Sequence, residues 1–119
     1  MRLALAVVLA LVSGAVAGPA HAHAIVLESR PAVDAVLTGP ELEIELQFNS
    51  RIDLARSRLS LFSGDGRDLA IERLEGGAEG VLRGRARGLS PGGYRLHWQV
   101  LAIDGHLTRG DIPFRVVEP

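Results

Sequence analysis

The chain has 119 residues, 47% of them hydrophobic, with 13 arginines, no lysine, 14 acidic residues and a formal charge of −1. That is chain enough for one domain, too apolar for a disordered segment, and without the basic balance of a nucleic-acid binder. It has no cysteine and its single methionine is Met1, so disulfides, zinc–thiolate and iron–sulfur sites, a thiol nucleophile and a thioether metal site are all excluded.

Arg2 and the apolar run at 3–12 open the chain. Ten residues make about 15 Å of helix, roughly half the hydrocarbon core of a bilayer, so the run is too short to span one. Ala20-His21-Ala22 then has the small-x-small form of a signal-peptidase site. The expectation is a signal peptide over residues 1–22 and a mature domain of residues 23–119. That domain begins with His23, lies outside the cytoplasm and does not itself span a membrane.

From there the chain reads as short strands. The segment 42–48 places Leu42, Ile44, Leu46 and Phe48 on one side and Glu43, Glu45 and Gln47 on the other, the period of a half-buried strand. Residues 94–100 alternate in the same way through Tyr94, Leu96, Trp98 and Val100. Weaker strands are expected at 24–28, 58–62, 69–74, 80–86 and 112–117. Turn sequences rich in Gly, Pro, Ser and Asp separate them, among them Thr38-Gly39-Pro40 and Ser63-Gly64-Asp65-Gly66. About seven strands at this spacing predict a β-sandwich or small barrel. Leu89-Ser90-Pro91-Gly92-Gly93-Tyr94 favours the sandwich, because it has the form of a tyrosine corner.

Four histidines carry the metal chemistry open to this chain. His21 leaves with the signal peptide. His97 falls on the polar side of its strand and is expected to be solvated. His23, freed by cleavage, offers an α-amine and a ring Nδ1 that can close a chelate ring. Asp104-Gly105-His106 offers a carboxylate and an imidazole two residues apart, on the same side of an extended chain, with Gly105 allowing a tight turn. Taken alone, Asp-Gly is an ordinary turn dipeptide. Together with His23 the two residues make an N₃O set, which suits tetragonal Cu(II), then Ni(II), better than tetrahedral Zn(II). Trp98 is expected in the core. Arg83, Arg85 and Arg87 are expected along a solvated sheet edge that discourages strand addition. The sequence holds no G-x-S-x-G, no H-E-x-x-H and no phosphate-binding glycine loop, so no enzyme is expected.

From His23 to Val117 the chain resembles the CopC family of periplasmic copper-binding, copper-resistance proteins. The resemblance rests on His23-Ala24 directly after Ala-His-Ala, Ser29-Arg30-Pro31-Ala32, Ile44-Glu45-Leu46-Gln47-Phe48, the run at 89–98 (LSPGGYRLHW), and Asp104-Gly105-His106 followed by Gly110, Phe114 and Val116. It implies a seven-stranded Greek-key, immunoglobulin-like β-sandwich. It also implies one Cu(II) per mature chain, held by the amine and imidazole of His23 with Asp104 and His106. The implied role is periplasmic copper sequestration, or delivery to a CopD-type inner-membrane protein. Three departures from the family pattern stand out. No methionine remains for a Cu(I) site. Phe48-Asn49-Ser50-Arg51 lacks the glutamate that some members carry there, and Asp53 is a poor substitute. Leu107 replaces the usual proline after Asp-x-His. Two other readings fit the same residues. One is a metal-free structural or adaptor sandwich. The other is a small histidine-brace copper oxidase, against which stand the few, mostly inward-facing aromatic residues and the carboxylate ligand.

Overall fold

The alternation of apolar and polar residues resolves into nine strands in a computed structural model, which describes residues 24–119. The expected leader and His23 lie outside the described residues. In chain order the strands are β1 (Val26–Arg30), β2 (Ala35–Thr38), β3 (Leu42–Phe48), β4 (Arg58–Ser63), β5 (Asp68–Leu69), β6 (Glu72–Leu74), β7 (Val81–Ala86), β8 (Gly92–Leu101) and β9 (Leu107–Val117). One 3-10 turn, Leu54–Arg56, precedes β4, and Asp53 caps it by accepting the Arg56 N–H. Among the described residues no helix is long and apolar enough to cross a membrane.

Two sheets pack face to face, one in the order β1-β3-β7-β6 and the other β2-β9-β8-β4-β5. The chain passes between the sheets five times in this order, which gives the immunoglobulin-like sandwich expected from the strand spacing. The alternating apolar residues of β3, β7, β8 and β9 point between the sheets. Leu46, Leu61, Leu82, Leu96 and Val100 are fully buried there. Tyr94 stacks on Phe114 with ring centroids 5.5 Å apart, and Trp98 meets Phe48 edge-on at 5.3 Å. The Tyr94 hydroxyl donates to the Ser90 carbonyl oxygen over 2.6 Å, so the tyrosine corner is present.

Three details differ from the sequence reading. The expected strand at 69–74 is two strands, because β5 pairs with β4 and β6 with β7, in opposite sheets. The chain changes sheets between Leu69 and Glu72. Strand β2 was not expected, since Ala35–Thr38 is too short to show a period. It gains its hydrogen bonds by lying parallel to β9, with Ala35 beside Phe114 and Thr38 beside Val117. Finally, the strand of Arg83 and Arg85 is not an edge. It lies between β3 and β6, and its arginines face solvent across from Glu45 and Glu43 at 3.7 Å. Exposed pairs of this kind contribute little to stability.

Candidate metal centre

Strands β8 and β9 form the longest hairpin of the fold, and the loop joining them carries Asp104-Gly105-His106. The loop closes through two backbone hydrogen bonds: Ala102 N–H donates to the His106 carbonyl at 2.8 Å, and Gly105 N–H to that of Ala102 at 2.9 Å. Gly105 sits at φ +95°, a conformation that a side chain would strain. Asp104 and His106 therefore come together through a turn, not through alternation on extended chain as expected. Asp104 Oδ1 accepts the backbone N–H of His106 at 3.2 Å and faces its ring Nδ1 at 3.3 Å. The His106 backbone N–H, and after it the imidazole, hold the Asp104 carboxyl below the usual carboxylate range. The loop thus presents an ionised carboxylate against an imidazole, both on exposed side chains. Just behind it, the Thr108 hydroxyl is buried with no hydrogen-bond partner among the described residues.

The chain that follows β3 ties this loop to the other end of the candidate site. Asn49 N–H donates to the Ile25 carbonyl at 3.0 Å, and Asn49 Oδ1 accepts the Ile25 N–H at 2.8 Å. Two residues on, the Arg51 carbonyl accepts the Ile103 N–H at 3.2 Å. Asp53 N–H donates to Leu101 at 2.8 Å. Between these contacts Ile52 is buried and bridges Ala102. Segment 49–53 therefore bonds, at one end, the backbone two residues after His23 and, at the other, the residue before Asp104. Asp53 is engaged as the cap of the 3-10 turn.

Among the described residues no group of three or more His, Asp or Glu side chains could hold a metal ion. The structure places Asp104 and His106 together, and His23 lies outside the described residues. The pair Asp104 and His106 supplies one nitrogen and one oxygen, and the chemistry of a Cu(II) site calls for further nitrogen donors.

His97 is on the outer face of its sheet, as its phase requires, but it is half-buried and partnered. Its Nδ1 lies 2.9 Å from Asp111 Oδ1, which also accepts from Arg95 at 2.7 Å. Arg95 in turn covers the ring of Phe62, 4.6 Å from its centroid. The register that sets His97 opposite Asp111 puts the pair side by side. The His97 hydrogen bond first, and Arg95 after it, hold the Asp111 carboxyl below the ordinary range. A carboxylate with a lower pKa folded than unfolded adds stability that is present above the unfolded value near 4 and is lost as pH falls through the folded value. Asp111→Asn should therefore lower stability at pH 7 by under about 1 kcal/mol, the range of exposed pairs. It should also flatten the loss of stability below about pH 4. Urea unfolding at neutral and acidic pH checks this; a variant with the native pH profile would show that the cluster adds nothing.

Fold and loop together define a β-sandwich with a carboxylate–imidazole pair at the end where the N-terminal segment is anchored. Residues 26–117 match the model of the CopC domain, and the chain belongs to the CopC family. It is 30% identical over 105 residues to the copper resistance protein C of Xanthomonas campestris pv. juglandis, covering 82% of each chain. It is 29% identical over 119 residues to protein YobA of Escherichia coli K12, covering 98% of this chain and 94% of that protein. Among solved structures, CopC from Methylosinus trichosporium OB3b superposes with a TM-score of 0.74 at 23% identity, over 81% of this chain and 95% of that one. PcoC from Escherichia coli, described as a methionine-rich copper resistance protein, superposes with a TM-score of 0.71 at 24% identity, over 81% of this chain and all of that one. These likenesses show the fold. They also mark a difference, since this chain has no methionine beyond Met1.

Proposed function

We propose that the chain is exported to the periplasm and there binds one Cu(II) as cargo. The α-amine and imidazole of His23, the imidazole of His106 and the carboxyl of Asp104 make the site. One observation supports this reading: segment 49–53 bonds both Ile25, two residues after His23, and Ile103, the residue before Asp104, so the described start of the chain and the Asp104–His106 loop are held by one short segment. The copper-resistance names of the relatives support the choice of metal. The donor chemistry supports the oxidation state, because amine, imidazole and carboxylate favour Cu(II), whereas Cu(I) prefers sulfur ligands, of which residues 23–119 have none.

With Nδ1–H directed at Asp104, His106 presents Nε2 as its ligating atom. Asp104 then fixes the ring orientation, as partners of metal-bound histidines do, or adds an oxygen of its own. Nothing in this arrangement calls for a substrate groove. The role is sequestration, or delivery to a CopD-type protein of the inner membrane. Native mass spectrometry of the periplasmic protein with one equivalent of Cu(II) tests the reading. The expected species begins at His23 and retains one copper, and His106→Ala fails to retain it under the same conditions. Equal copper retention by His106→Ala would overturn the assignment.

A further inference from the structure

We propose that Asn49 is the positioning residue of the copper site: it fixes the N-terminal chelate relative to the Asp104–His106 loop before metal arrives. This rests on the copper reading above and adds to it a cause for the preorganisation of the site.

Chain termini fray unless something holds them, and a frayed chelating residue must be ordered when the metal binds. Two features hold the chain that follows it, at Ala24 and at Ile25. Ala24 is 1% exposed, its methyl group packed into the core. Ile25 has a side chain 56% exposed, so burial does not hold it. Among the described residues its backbone is held by Asn49, through a reciprocal pair of hydrogen bonds at 2.8 and 3.0 Å. The second of these is backbone to backbone and independent of residue type. The first uses the Asn49 side chain, which extends the β1–β3 ladder beyond its last pair, Val26 with Phe48. From Asn49 the chain runs only two residues to Arg51, whose carbonyl holds Ile103. Ile52, 7% exposed, anchors that run in the core. The spacing between the two halves of the site is thus set by a short, packed stretch of backbone, and the Asn49 amide oxygen is its side-chain contact to the N-terminal half. An uncharged acceptor suits the place, since it holds an N–H without the metal affinity of a carboxylate.

The test uses the mature chain beginning at His23, with Asn49→Ala, which removes the acceptor, and Asn49→Asp, which keeps one at the same atom. Amide exchange at Ile25 is read in the metal-free protein, and Cu(II) affinity by competition with a chelator. In Asn49→Ala, Ile25 should lose its protection and Cu(II) affinity should fall between about two- and tenfold, the equivalent of one hydrogen bond. Asn49→Asp should keep Ile25 protected and bind Cu(II) at least as tightly as the native chain. Native affinity in Asn49→Ala, alongside lost binding in His23→Ala, would remove Asn49 from the site and leave the copper reading standing. Native affinity in both would overturn the copper reading and this inference with it.

Discussion

One residue added before His23 should weaken Cu(II) binding by more than about a hundredfold, beyond the ten- to hundredfold typical of losing a hydrogen-bond partner of a ligand. The chemistry is specific to the terminus. A free α-amine and the Nδ1 of the same residue close a chelate ring, and an amide nitrogen in its place carries no lone pair for the metal without losing a proton. The extension leaves every described side chain in place: Ala24 stays buried, Asn49 still holds Ile25, and Asp104 still faces His106. A fall in affinity without a fall in melting temperature would therefore report the amine itself. The native form should also release copper as pH falls, because amine and imidazole must be unprotonated to ligate. The extended form, lacking the amine, should show a shallower dependence. Equal affinity in the two forms would exclude the N-terminal chelate and leave Asp104 and His106 as a hairpin turn.

What the sequence shows of the fold follows from how local the signals are. The alternation in 42–48 and 94–100 identifies β3 and β8 because each buries one face along its whole length, and the Ser90–Tyr94 spacing locates a corner closed within four residues. Strand β2 and the split between β5 and β6 are set by partners elsewhere in the chain, so no local period marks them. The site divides in the same way. Asp104-Gly105-His106 is legible as a candidate because its geometry is made within one turn. Asn49 carries no such signal: an asparagine just past a strand reads as a turn residue, and its meaning depends on Ile25, 24 positions away. Asp111 is hidden for the same reason, since only the β8–β9 register puts it beside His97.

Gly110→Ala should be the most disruptive small change in the β8–β9 hairpin. Gly110 is the cross-strand partner of Trp98, and both residues face inward. A Cβ there would lie 2.5 Å from Trp98 Cζ2, 2.7 Å from Cε2 and 2.9 Å from Nε1. These are atoms of a rigid ring, and the ring cannot retreat freely because Phe48 meets it edge-on on its other contact. The glycine is thus the space that the indole fills. Overpacking of this kind costs about 1–3 kcal/mol, and each kcal/mol lowers the melting temperature of a domain this size by about 4–8 °C. Trp98→Leu should be destabilising alone, through the cavity it leaves. In combination with Gly110→Ala, however, it removes the clash, so the double variant should be more stable than the sum of the single losses by about 1 kcal/mol or more. Thermal melts of the three variants measure that coupling. Strict additivity, or a Gly110→Ala melt within about 2 °C of native, would mean that the indole has room the structure does not show. The consequence reaches the site, because the ring packs against the same two strands whose connecting loop carries Asp104 and His106. A hairpin forced apart at Trp98 should loosen that loop, and copper affinity should fall together with stability in Gly110→Ala, where Asn49→Ala affects affinity through the N-terminal half alone.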